Sequence, residues 1–181
     1  MTFIETRLPG VLLIDCDVFR DDRGAFVRAW MPEEFAARGL ETRLAQASLA
    51  TNITRGTLRG MHYQTAPFEE VKLIRAARGA VYDVAVDLRP DSPTFREWIG
   101  VELTSENHRM LYVPHGCAHG YQTLTDDAAV FYFVSAPYSP AHQAGVRWDD
   151  PAFGIQWPLG RPTVINDRDA RFPDFSGVPT R

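Results

Sequence analysis

The chain has 181 residues, 45% of them apolar and 23% charged, a globular composition that excludes a disordered or collagen-like chain. Lys and Arg number 19 against 23 Asp and Glu, a net charge of −4, so neither bulk nucleic acid nor an anionic membrane is an expected partner. The N-terminus lacks a basic region followed by an apolar one, and no run is long and apolar enough to span a bilayer; a cytoplasmic location is the expectation.

Taken in chain order, the first strand signal is the apolar run at 11–14. A helix is expected over 32–38, where Glu33 and Glu34 suit the first turn and Gly39 the stop. Residues 57–64 read as a strand in which Arg59 and His62 fall on different faces, unless Gly60 allows a bulge that brings them together. Further strands are expected at 72–76, 80–87, 109–113 and 129–135; β-branched and aromatic residues favour that choice at 80–87. From Pro158 onward the chain is Pro-rich and is expected to wrap irregularly on the surface. No repeat, low-complexity tract or linker divides the chain, so residues 1–181 read as a single domain. Short strands at turn-bounded spacing make it all-β, a sandwich or barrel.

Cys16 and Cys117 lie far apart in strand-like contexts and are expected to be reduced core thiols. Of the five histidines, His108 and His142 call for no special role. His62 stands out because Arg59, Lys72 and Arg75 lie near it in one strand-rich window, and enclosed cations need an anionic partner. A metal held by His62 and His119 ranks below a metal-free site. Gln64 is a poor ligand, and nothing in the sequence turns Glu69 or Glu70 inward. Tyr132 and Tyr138 read as packed tyrosines, and Asp169 as a loop or cap residue able to orient a histidine.

Several segments together carry a family resemblance. The run GTLRGMHYQ at 56–64 resembles the signature of the dTDP-4-dehydrorhamnose 3,5-epimerases. So do KLIR at 72–75, DVAVDLR at 83–89, SPTF at 92–95, the stretch from Tyr112 to Gly120, GVRWDDP at 145–151 and IQWP at 155–158. DDRG at 21–24 with Phe26 resembles the family's N-terminal nucleotide-binding stretch. The resemblance implies a cupin-type β-barrel (jelly roll), a homodimer, no metal and no cofactor, and a nucleotide-diphospho-4-keto-6-deoxysugar as substrate. It implies His62 as base, Asp169 as the carboxylate that orients it, Lys72 as the cation near the enolate and Tyr132 as proton donor on the other face. His119 would contact the sugar, Arg23 and Arg59 the diphosphate, Tyr138 and Phe26 the base, and Gln46 and Ser48 the rest of the nucleotide.

The chain departs from the better-known branch of that family at Arg28 and Gln143, where a Glu is usual, and at Arg168, where a Lys is usual. These are recognition positions, so substrate contacts are expected there too. Two alternatives to a double epimerase stay open: an epimerase of C3 or C5 alone, and a nucleotide-sugar binding protein without turnover.

Overall fold

The computed structural model describes residues 1–177. In chain order it forms β1 (Thr2–Glu5), β2 (Leu12–Asp15), β3 (Val18–Asp21), β4 (Gly24–Val27), α1 (Pro32–Ala36), β5 (Gln46–Asn52), β6 (Leu58–Gln64) and β7 (Lys72–Arg78). There follow β8 (Ala80–Asp87), β9 (Trp98–Thr104), β10 (Met110–Val113), β11 (Cys117–Thr123), β12 (Ala128–Val134), β13 (Gln143–Gly145) and α2 (Asp167–Ala170). The expected strand at 80–87 coincides with β8. Those at 11–14, 72–76, 109–113 and 129–135 appear as β2, β7, β10 and β12 with ends moved by one or two residues. The expected helix at 32–38 ends at Ala36, and turns carry the chain on to Gly39.

Two antiparallel sheets pack face to face as a cupin-type jelly roll. One has the order β1-β2-β10-β7-β12-β5 and the other β13-β6-β11-β8-β9, while β3 and β4 form a separate hairpin. Alternation along each strand sorts side chains into three cores. Between the sheets lie Ile74, Ala76, Val81, Ala85, Leu103, Leu111 and Val130. The outer face of the six-stranded sheet is covered by α1 through Phe35, together with the flanking Trp30 and Leu40. Phe153, Ile155 and Trp157 cover the outer face of the five-stranded sheet.

The C-terminal stretch is more than a surface wrap. Val164 bridges to Thr57, and α2 seats buried Asp169 against β6. Cys16 and Cys117 are free thiols, and burial pushes that of Cys117 up to about 12. No helix among the described residues is long and apolar enough to cross a membrane.

Candidate active site

One end of the space between the sheets stays open as a cavity of about 240 Å³. Its walls come from both sheets. From the five-stranded sheet it receives Arg59 and His62 on β6, His119 and Tyr121 on β11, and Gln143 on β13. The six-stranded sheet supplies Gln46 and Ala50 on β5, Lys72 on β7, and Tyr132 and Val134 on β12. Glu70 and Tyr138 complete the lining from loops.

Arg59 and His62 reach the same cavity because β6 bulges. His119 pairs with His62 and Tyr121 with Arg59, so three steps on β6 match two on β11. Gly60 makes this possible: its φ is +139°, and a Cβ there would sit 2.5 Å from the Cα of Gly120. Leu58 and Met61 consequently pack outward while Arg59 and His62 point in.

His62 Nε2 lies 2.8 Å from Asp169 Oδ1, and the other oxygen of that carboxylate accepts from Gly60 N at 3.0 Å. Asn166 caps α2 by accepting from Asp169 N, which fixes the backbone that carries the carboxylate. Burial moves the imidazole of His62 below its ordinary pKa against the pull of Asp169, and the nearby Lys72 and His119 lower it further. His62 is therefore neutral at neutral pH. Burial would raise the Asp169 carboxyl, but hydrogen bonds from His62 and Gly60 and the charge of Arg168 bring it below its ordinary value. The pair is a carboxylate holding a neutral imidazole by its N–H, which leaves Nδ1 as the basic nitrogen.

Across the strand pair, His119 Nε2 lies 2.9 Å from Asp83 Oδ1. Asp83 is fully buried, and its Oδ2 has no partner among the described residues. Arg59 is held by Asn52 Oδ1 at 2.8 Å and by Thr51 O at 3.2 Å. Lys72 Nζ donates to the backbone oxygen of His62 at 3.0 Å and pairs with Glu70 Oε1 at 3.1 Å. Tyr138 donates to Gln143 Oε1 at 2.5 Å. No group of three His, Cys, Asp or Glu side chains able to hold a metal is found among the described residues.

Of the residues singled out from sequence, His62, Lys72, Tyr132, Arg59, His119, Tyr138, Gln46 and Gln143 line this cavity, and Asp169 backs it. Ser48 stands beside it and accepts from Gln46 at 2.9 Å. Arg168 is exposed on α2 with its guanidinium over Phe172, whose ring stands edge-on to His62. Arg23, Phe26 and Arg28 are exposed on or just after the β3–β4 hairpin, and none of them is part of the cavity lining. Arg75 is a correction: it sits an odd number of residues from Lys72 on β7 and so lies on the opposite face. Glu70 is another, because it does turn inward.

Asp83, Tyr121, Asn52 and Glu70 were missed as site residues. Asp83 and Tyr121 could have been found by counting in twos from inward neighbours on β8 and β11. Asn52 lies two residues beyond Ala50 on β5, an edge strand whose sequence does not announce it, and Glu70 sits in a loop.

The family model for dTDP-4-dehydrorhamnose 3,5-epimerase matches residues 5–177. A protein of that description from Methanothermobacter thermautotrophicus is 43% identical over 179 residues, covering 98% of this chain and 96% of its own. Among solved structures, a dTDP-4-dehydrorhamnose 3,5-epimerase from Bacillus anthracis with TDP and PPi bound superposes with a TM-score of 0.92. It is 39% identical, with 96% of this chain and 99% of that one covered. A 3'-monoepimerase from Streptomyces bikiniensis in complex with dTDP-quinovose superposes with a TM-score of 0.88 at 34% identity, over 94% of this chain and 86% of that one.

Proposed function

The chain belongs to the dTDP-4-dehydrorhamnose 3,5-epimerase family and is an isomerase of dTDP-linked 4-keto-6-deoxysugars, and we propose that His62, Asp169, Lys72 and Tyr132 carry its chemistry. The observation that carries this assignment is the His62–Asp169 hydrogen bond of 2.8 Å, in a cavity that Lys72 and Tyr132 enter from the opposite sheet.

The C4 ketone acidifies the C–H bonds at C3 and C5. Neutral His62 takes one of these protons through Nδ1 while Asp169 keeps the ring oriented and supports the imidazolium that forms. The electron pair of the broken C–H bond moves into the carbonyl to give an enolate, whose oxygen is met by the ammonium of Lys72. Tyr132 returns a proton to carbon from the other face and the centre inverts. A proton leaves and a proton returns, so the oxidation state is unchanged and the ketone itself serves as electron sink. A base on one sheet and an acid on the other is an arrangement that nucleotide-sugar binding alone would not require.

Arg59 reads as a diphosphate ligand, Tyr138 with Gln143 as the platform for the base, Gln46 and Ser48 as polar nucleotide contacts, and His119 as a sugar contact. Arg23, Phe26 and Arg28 fit this scheme only in a homodimer whose β3–β4 hairpin reaches the cavity of the partner subunit. The exposure of Phe19 and Phe26, 58% and 62%, gives them a use there. In this reading the whole chain is one epimerase domain acting in the cytoplasm.

The test is turnover of dTDP-4-keto-6-deoxyglucose in D₂O, followed by NMR. Solvent deuterium at both C3 and C5 with both centres inverted is expected. Deuterium at one carbon alone after long incubation would make the protein a mono-epimerase, the reading that Arg28, Gln143 and Arg168 would favour. A monomer in sedimentation with full activity would remove the shared-site homodimer.

A further inference from the structure

With Lys72 meeting the enolate, as proposed above, the direction of its ammonium is part of catalysis. An ammonium has three hydrogens. One is taken by the backbone oxygen of His62 at 3.0 Å and a second by Glu70 Oε1 at 3.1 Å. Two anchored hydrogens of a tetrahedral nitrogen fix the third, which is left for the cavity that Lys72 lines.

Glu70 is itself held. Its second oxygen accepts from Gln64 Nε2 at 3.2 Å. The Gln64 amide cannot turn round, because its oxygen accepts from Ser139 N at 2.7 Å and its nitrogen shares its two hydrogens among Glu70, Phe68 O at 2.9 Å and Pro137 O at 3.2 Å, all acceptors. The side chains of Lys72 and Glu70 are only 9% and 12% exposed. An enclosed carboxylate is costly unless its oxygens are paired, and an ordinary surface ion pair needs no buried amide behind it.

We propose that Glu70 is a positioning residue for the reaction: braced by Gln64, it aims the ammonium of Lys72 at the developing enolate. An aimed ammonium gains far more from a full negative charge on the enolate oxygen than from the dipole of the neutral ketone, so the benefit of the aim falls on the transition state more than on the bound substrate.

The experiment is a double-mutant cycle, with kcat and KM for dTDP-4-keto-6-deoxyglucose measured for the wild type, E70A, E70Q, K72M and the two double variants. E70A is expected to lower kcat by roughly 10-fold with KM within about 2-fold. E70Q, whose amide oxygen still accepts from Lys72 but whose nitrogen opposes that of Gln64, should keep more of kcat than E70A does. In the K72M background either change should alter kcat by less than about 2-fold, because Glu70 has then lost the group it acts through. Should E70A fail to fold, E70Q with E70Q/K72M gives the same cycle. Equal losses in both backgrounds, or a KM rise at unchanged kcat, would overturn the role given to Glu70 while leaving the epimerase reading intact. A wild-type chain without turnover would overturn that reading and this role with it.

Discussion

Two His–carboxylate pairs face one cavity from adjacent strands, and they are built differently. His62 is bonded by Asp169, which arrives on a capped helical turn 107 residues further along the chain. His119 is bonded by Asp83, which sits on the neighbouring strand of the same sheet. Asp169 uses both oxygens, on His62 and on Gly60 N, whereas Asp83 leaves one oxygen buried and unpaired among the described residues. The side chain of His62 is 27% exposed and that of His119 10%. A base needs an open face toward its substrate and a satisfied carboxylate behind it. The His62 pair has both, while the His119 pair is closed in and suited to holding a ligand in place.

The sharpest way to break this contrast is to remove each ring in turn. His62→Ala should cost roughly 10²–10⁴-fold in kcat with nucleotide binding retained. His119→Ala should cost roughly 10-fold or less, mostly in KM. Equal losses in kcat would make the two pairs equivalent. Lys72→Met is expected next in size, about 10²-fold in kcat with a smaller change in KM; a rise in KM alone would make Lys72 a binding residue.

Asp169→Asn keeps the shape but not the charge and should cost roughly 10–100-fold in activity. Its pH profile carries a sign. In the folded protein the pKa of His62 is lowered, first by burial, with Asp169 opposing. The wild type should therefore hold its activity to below the ordinary imidazole value of about 6.5, and its acid limb should move lower still in Asp169→Asn. The same depression means that the unfolded chain takes up this proton first. The contribution of His62 to stability is thus complete above about 6.5 and declines as pH falls toward the folded value. An acid limb that moves upward in the variant would mean that the Asp169 carboxylate does not hold the imidazole pKa up. The smallest expected effect is that of chelation. Exhaustive EDTA treatment should leave turnover unchanged, since no group of three His, Cys, Asp or Glu side chains able to hold a metal is found among the described residues. Loss of activity restored by one divalent ion would mean that the two opposed rings share a metal.

Legibility differed from element to element. The strand β8 could be read directly because its β-branched and aromatic residues suit a pleat and punctuation bounds it. Edge elements such as β1, β3, β4 and β5 could not, because QASLATN and its like form strands only where a neighbour offers hydrogen bonds. At the site, His62, Lys72 and His119 lie in family-like motifs and were legible as cavity residues, while Tyr132 and Asp169 came from the resemblance of the chain as a whole. Residues that matter through their neighbours were not, and Glu70 is the clearest case.

By itself the sequence determined the all-β class, the absence of a polyanion-binding charge, the candidate bulge at Gly60 and, through motifs matched in order, the family and its chemistry. Only the tertiary structure decided which side chains share the cavity. It removed Arg75 by strand alternation, turned Glu70 inward against Gln64, and carried Asp169 across 107 residues to His62. The reason is physical. Residue types and local periodicity are written along the chain, but facing and distance are set by strand register and loop closure, which depend on partners far away in sequence.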